Sequence, residues 1–135
     1  MPEGRLSKAP LIAIVEDDEF FRASMRRLMR SLGYTVEAFP SVADFLASSR
    51  LKGTACLIAD IHMPGMTGTE LYGRLIEAGR DIPTILVTAY PDEATRARAL
   101  KDGVVCYLLK PFDDHDLMDC VRKAVEDGKS RAEDS

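Results

Sequence analysis

Glu16, Asp17, Asp60, Thr88 and Lys110 are the side chains in this sequence that could do chemistry together, because each closes or follows a short apolar run. Glu16 and Asp17 follow the run at 11–15, Asp60 the run at 55–59, Thr88 the run at 84–87 and Lys110 the run at 104–109. Three carboxylates gathered in one place repel one another unless a cation joins them. A hard divalent ion with oxygen ligands resolves the conflict, and Mg²⁺ suits a small, partly hydrated carboxylate site. Lys110 adds a fixed positive charge and Thr88 a hydroxyl donor, which together suit a dianionic group carried on one carboxylate. Phosphoryl transfer requires such an arrangement: an in-line nucleophile, with positive charge around the equatorial oxygens. A carboxylate nucleophile would give an acyl phosphate. Asp60 stands alone at the end of its run and is the candidate nucleophile. The pair at 16 and 17 reads as metal holders.

Taken singly, each residue has a plain alternative. Adjacent acids can serve a helix N-terminus, a lone Asp a turn, a Thr a strand end, and a Lys before Pro the surface. Their joint occurrence at four run ends needs elements that bring those ends together. The run at 11–15 is continuous rather than alternating, as expected of a strand buried on both faces. Phe21, Met25, Leu28, Met29 and Leu32 then mark one face of a helix, with Gly33 as its stop. Residues 34–39 read as a more polar strand near a sheet edge. Ser41 reads as the N-cap of a short helix carrying Val42, Phe45 and Leu46. A helix from about Thr69 to Ala78 follows the Pro/Gly-rich loop after Asp60. An alanine-rich helix at 91–102 has Leu100 as its main apolar anchor, which predicts low local stability. The last helix puts Leu117, Val121, Ala124 and Val125 on one face, and 126–135 reads as a frayed polar tail. Strands joined by helical crossovers are parallel, with helices on both faces of the sheet. In such a sheet the C-terminal strand ends share one crevice, where these folds bind ligands.

With 135 residues the chain suits one domain. Its 46% apolar and 30% charged residues exclude a disordered chain. A net charge of −4 argues against direct nucleic-acid binding. No apolar run approaches the roughly 20 residues that span a bilayer, and the first residues lack a signal-peptide core. The chain therefore reads as a soluble cytoplasmic domain without membrane attachment. Cys56, Cys106 and Cys120 show no metal-ligand spacing and read as small buried hydrophobes in a reducing compartment, with redox sensing as the alternative. Glu16, Asp17 and Asp60 account for three of the negative charges, so the rest of the surface should be near neutral.

Across about residues 9–127 the chain resembles the receiver domain of bacterial two-component response regulators. The resemblance rests on Glu16-Asp17, on Asp60-Ile61-His62-Met63-Pro64-Gly65-Met66-Thr67-Gly68, on Thr88-Ala89 and on Lys110-Pro111-Phe112. The spacings of 28 residues from Asp60 to Thr88 and 22 from Thr88 to Lys110 also match. Within that family the look is closest to receivers of the nodulation and nitrogen-fixation type, which often precede a helix-turn-helix domain.

The resemblance implies an α/β, flavodoxin-like (βα)5 doubly wound sheet of strand order 2-1-3-4-5, flanked by flexible tails at 1–8 and 128–135. It implies that Asp60 accepts the phosphoryl group, that Asp17 and Asp60 hold Mg²⁺ directly, that Glu16 acts largely through water, and that the backbone carbonyl of His62 is the third protein ligand. Thr88, Ala89 and Lys110 would bind the phosphoryl group, with Lys110-Pro111 in the cis form. Thr88 and Tyr107 would be the switch pair, Tyr107 turning inward on activation. The implied partners are a sensor histidine kinase or histidine phosphotransfer protein, an output domain or effector, and a second copy in a homodimer. Catalysis would extend only to the chain's own phosphorylation and autodephosphorylation. His62 and Tyr90 occupy the positions that flank the attacking-water path in this family, and their bulk predicts slow phosphoryl loss. Two rivals remain: a degenerate receiver used only for docking, which the intact Asp60, Thr88 and Lys110 oppose, and a haloacid dehalogenase-like phosphatase. The phosphatase would need Asp-x-Asp after the first strand and a cap domain, and the sequence has neither. The chain would be either a stand-alone receiver or the N-terminal part of a longer regulator.

Overall fold

A computed structural model of the chain describes residues 9–134. The expected tail at 1–8, together with Ser135, lies outside the described residues. Five strands and five helices alternate: β1 (Leu11–Val15), α1 (Glu19–Ser31), β2 (Thr35–Phe39), α2 (Val42–Leu46), β3 (Thr54–Asp60), α3 (Gly68–Glu77), β4 (Thr84–Thr88), α4 (Glu93–Asp102), β5 (Cys106–Leu109) and α5 (Asp114–Asp134). A 3₁₀ turn, Leu51–Gly53, leads into β3. The strands form one parallel sheet in the order β2-β1-β3-β4-β5, the expected flavodoxin-like arrangement.

Alternation along the central strands sorts the core into two layers, because successive side chains leave opposite faces of a strand. Ala13, Val15, Leu57, Ala59 and Leu86 pack with Phe45, Leu71, Leu75 and Ala99 under α2, α3 and α4. Ile12, Ile14, Cys56, Ile58, Ile85 and Val87 pack with Met25, Met29, Leu117 and Val121 under α1 and α5. All five residues of β1 and all five of β4 are buried, which is why their sequences are continuously apolar rather than alternating. β2 lies at the edge and is only half-buried, as its more polar sequence suggests.

Local chemistry sets the helix ends. Asp18 caps α1, its side chain accepting from the Phe21 N–H at 3.1 Å. Ser41 caps α2 through the Asp44 N–H. Thr67 and Glu70 form a reciprocal capping box on α3. At the other end of α4, Gly103 takes φ +113°, a conformation few other residues adopt.

Four details differ from the sequence reading. α4 begins at Glu93 rather than at 91, because the Asp92 carboxylate accepts from Ala94 and Thr95 and sets the start there. Its buried residue is Ala99, and Leu100, the expected anchor, is only half-buried. α5 continues to Asp134, through the stretch read as a frayed tail. No proline interrupts that stretch, and Gly128 allows close passage over Pro83, where an added Cβ would lie 3.2 Å from Cγ. Lastly, Cys106 on β5 and Cys120 on α5 are joined as a disulfide, with Cα atoms 6.0 Å apart, while Cys56 stays free and buried. Packing of α5 against β5 brings together two cysteines 14 positions apart that show no paired motif in the sequence. Among the described residues, no helix is long and apolar enough to cross a membrane.

These burial differences predict a contrast in stability. Ile58→Ala, in the fully buried centre of β3, should cost about 2–5 kcal/mol. Leu100→Ala should cost about 1 kcal/mol or less, since little packing is lost there. Urea midpoints for the two variants check the ranking, and a larger loss at Leu100 contradicts it.

Candidate functional site

Strand register assembles the site. Val15 lies opposite Ala59, so Glu16 emerges beside Asp60. Asp60 lies opposite Val87, so Thr88 emerges one position beyond it. Thr88 lies opposite Leu109, so Lys110 follows at the same edge. Residues separated by 94 positions thereby meet: Lys110 Nζ donates to Glu16 Oε1 at 2.7 Å and to Asp60 Oδ2 at 2.6 Å. Both carboxylates are buried, Glu16 completely. The Lys110–Pro111 peptide bond is cis, as expected.

The β1–α1 loop is fastened by its own hydrogen bonds. The Asp18 N–H donates to Glu16 Oε2 at 3.1 Å. The Arg22 guanidinium donates to the Glu16 carbonyl at 2.8 Å and reaches the Asp17 carbonyl at 3.5 Å. After β3, the His62 N–H donates to Asp60 Oδ1 at 2.8 Å, so both Asp60 oxygens are engaged. Gly68 is required where α3 passes the strand end: a Cβ there would stand 2.5 Å from the Asp60 carbonyl oxygen.

The donor set fits a hard cation. One carboxylate oxygen from each of Glu16, Asp17 and Asp60 lies within 4.8 Å of the others. All are oxygen ligands, and the exposed Asp17 leaves a side open to water, which suits Mg²⁺. Burial is the main influence on Glu16 and pushes its carboxyl up to about 7, against the opposing hydrogen bonds from Lys110 and Asp18. Burial by itself would lower the Lys110 ammonium, but its hydrogen bonds to Asp60 and Glu16 prevail and hold it above the ordinary lysine value.

Other predicted residues stand near the cluster without joining it. The Thr88 hydroxyl accepts from the Tyr90 N–H at 3.0 Å and lies 3.3 Å from the Tyr90 carbonyl, closing a local turn. Ala89 is exposed in that turn. Tyr107 is half-buried against the core layer under α2–α4. The exposed His62 and Tyr90 rings meet edge to face, with centroids 5.3 Å apart, over the loops that carry Asp60 and Thr88. Two contributors carry no motif signal. Phe21 reads from sequence only as a helix-face residue, yet its ring lies under Lys110 Nζ at 4.3 Å from the centroid. Arg22 lies among the bases mostly off the apolar face of α1, and it ties down the acidic loop.

Comparison with known proteins agrees with this geometry. Residues 12–122 match the family model described as the response regulator receiver domain. Nodulation protein W of Bradyrhizobium diazoefficiens is 37% identical over 127 residues, covering 94% of this chain and 56% of that protein. Response regulator protein TodT of Pseudomonas putida is 34% identical over 119 residues, covering 88% of this chain and 52% of that protein. The chain thus spans about half the length of these curated relatives. Among solved structures, response regulator StyR superposes with a TM-score of 0.86 at 34% identity, covering 93% of this chain and 63% of that one. FixJ-N superposes with a TM-score of 0.78 at 29% identity, covering 93% of this chain and 96% of that one.

The raised Glu16 carboxyl predicts a pH dependence. A folded-state value above the ordinary 4.5 means that the folded chain holds this proton more tightly than the unfolded chain. Without added metal, the Glu16 contribution is complete below about 4.5 and is lost as pH rises through about 7. The isosteric, neutral Glu16→Gln should flatten that limb of the stability–pH curve, measured in chelator from pH 4.5 to 8. Parallel curves for the two proteins contradict the assignment. Gly68→Ala should disturb the Asp60 loop, giving amide shifts centred on residues 60–63, and confinement of the shifts to α3 contradicts it.

Proposed function

The chain belongs to the response regulator receiver domain family, and from that membership we propose that it accepts a phosphoryl group on Asp60 from a sensor histidine kinase or histidine phosphotransfer protein. The observation that carries this reading is the Lys110 ammonium bound at once to Asp60 and Glu16, with Asp17 alongside. Mg²⁺ would be held by Asp17, Asp60 and the His62 backbone carbonyl, with Glu16 contributing mainly through water, and when bound it supplies positive charge to the phosphoryl oxygens.

The chain's own groups then divide the work. An Asp60 carboxylate oxygen attacks phosphorus, forming the acyl phosphate bond as the bond from phosphorus to the donor nitrogen breaks. Lys110 neutralises charge on the equatorial oxygens, already aimed by its hydrogen bond to Asp60. The product carries roughly 1.5–2 negative charges and new acceptor oxygens. Thr88 leaves its turn with Tyr90 to donate to one of them, Ala89 follows with its backbone N–H, and Tyr107 moves inward into the space released. The resulting shift is between populations of two conformations. It would reach the α4 surface, which holds few buried apolar side chains. The chain acts in the cytoplasm as a signalling unit whose catalysis is confined to its own phosphorylation and dephosphorylation. The signal passes to an output domain or effector protein, or to a second copy of the chain.

Two experiments bear on this reading. Beryllofluoride with Mg²⁺, a phosphoryl mimic, should shift amide resonances at Asp60 and across 88–110, and Asp60→Asn should abolish the response. A wild-type spectrum left unchanged contradicts the proposal. The His62–Tyr90 contact predicts slow phosphoryl loss by shielding the path of the attacking water. The double variant His62→Asn with Tyr90→Glu should therefore lose phosphoryl severalfold faster, read by phosphate release, and an unchanged rate contradicts the shielding.

A further inference from the structure

The Lys110 ammonium has a third neighbour besides its two carboxylates. Nζ lies 4.3 Å from the centroid of the Phe21 ring, over its face. The ring is itself held. Its backbone N–H donates to the Asp18 cap at 3.1 Å, which fixes the first turn of α1. The Phe112 ring meets it edge to face, with centroids 5.6 Å apart and planes at 86°. Phe112 directly follows Pro111, so the aromatic pair joins the loop carrying Glu16 and Asp17 to the loop carrying Lys110.

We propose that Phe21 is a positioning residue for phosphoryl transfer, its π-face holding the Lys110 ammonium at the Asp60 edge of the crevice. The proposal rests on the receiver reading above and adds to it the residue that keeps the lysine in place. A lysine side chain has four rotatable carbons, and its ammonium is a point charge without the geometric preference of a guanidinium. Two carboxylates attract it, but one of them, Asp60, changes character once it carries a phosphoryl group. The ring does not change. It presents partial negative charge to the cation and covers a side of the ammonium that water would otherwise hydrate. The lysine therefore meets the incoming group from a prepared position, and small displacements of such a group are costly in rate. Phe21 reaches this role through spacing, being four positions beyond Asp17 and so within the first turn of the helix that follows the acidic loop.

The test compares Phe21→Leu, which keeps apolar bulk and removes the π-face, with Phe21→Tyr, which keeps both. Proton spectra without any phosphodonor should show the Lys110 ε-methylene shifted upfield by the ring current in wild type and Phe21→Tyr, and released in Phe21→Leu. Acetyl phosphate labelling of Asp60 should fall about three- to thirtyfold in Phe21→Leu, as expected for loss of a partly desolvated cation–π contact, and stay close to wild type in Phe21→Tyr. Equal labelling in all three proteins overturns the proposal, as does equal loss in both variants or a Lys110 shift that ignores residue 21. The methylene shift is read without phosphorylation. If wild type takes no label, the receiver reading fails while the ring contact is still decided by the spectra.

Discussion

A half-buried lysine held between two buried carboxylates organises this molecule. Taking Glu16 and Asp60 out of water is expensive, and close, well-directed pairing with the half-buried Lys110 offsets it. That pairing requires three strand ends to arrive at one point. The parallel sheet provides this, because its register sets Val15 against Ala59, Asp60 against Val87 and Thr88 against Leu109. The two apolar layers are what hold that register. Shifting a strand by one residue would turn its inner side chains to the wrong face. The core and the site are thus one problem: the residues that pack under α1 and α5 fix where the charges lie.

The same economy governs what can move. Glu16 is locked by Asp18, Arg22 and Lys110, and Asp60 by His62 and Lys110. The Thr88 hydroxyl bonds within its own turn, and Tyr107 is half-buried. α4, which follows that turn, is anchored by Ala99 and by a half-buried Leu100. Hydrogen bonds are therefore concentrated where the phosphoryl group would be received, while α4 buries a single residue, Ala99. This is the distribution that a charge-driven switch requires.

Much of this was legible in the sequence. Continuous apolar runs mark strands covered on both faces, and the polar residue that ends each run marks the crevice. Glu16, Asp60 and Lys110 could be grouped before any contact was known, because a parallel sheet leaves their strand ends nowhere else to go. What escaped notice depends on angles and partners that periodicity does not encode. Phe21 repeats with Met25 and Leu28 as a core residue, and nothing in that repeat says that its ring lies under a lysine 89 positions away. Cys106 and Cys120 belong to different elements, so only the packing of α5 on β5 reveals their bond. The polar composition of 126–134 suggested a tail, yet polarity describes solvation and not helicity, and α5 continues there. The place of the Thr88 hydroxyl in a turn with Tyr90 also depends on partners that a strand-end position does not encode.

The account stands on Asp60 being the nucleophile. An aspartyl phosphate is an acyl phosphate, so borohydride reduces it to homoserine and leaves a permanent mark on the residue that carried it. Tryptic mass mapping after acetyl phosphate, Mg²⁺ and borohydride treatment should find the conversion at Asp60, with Asp17 and every other carboxylate unmodified. Homoserine at another carboxylate, or at none, would contradict the account.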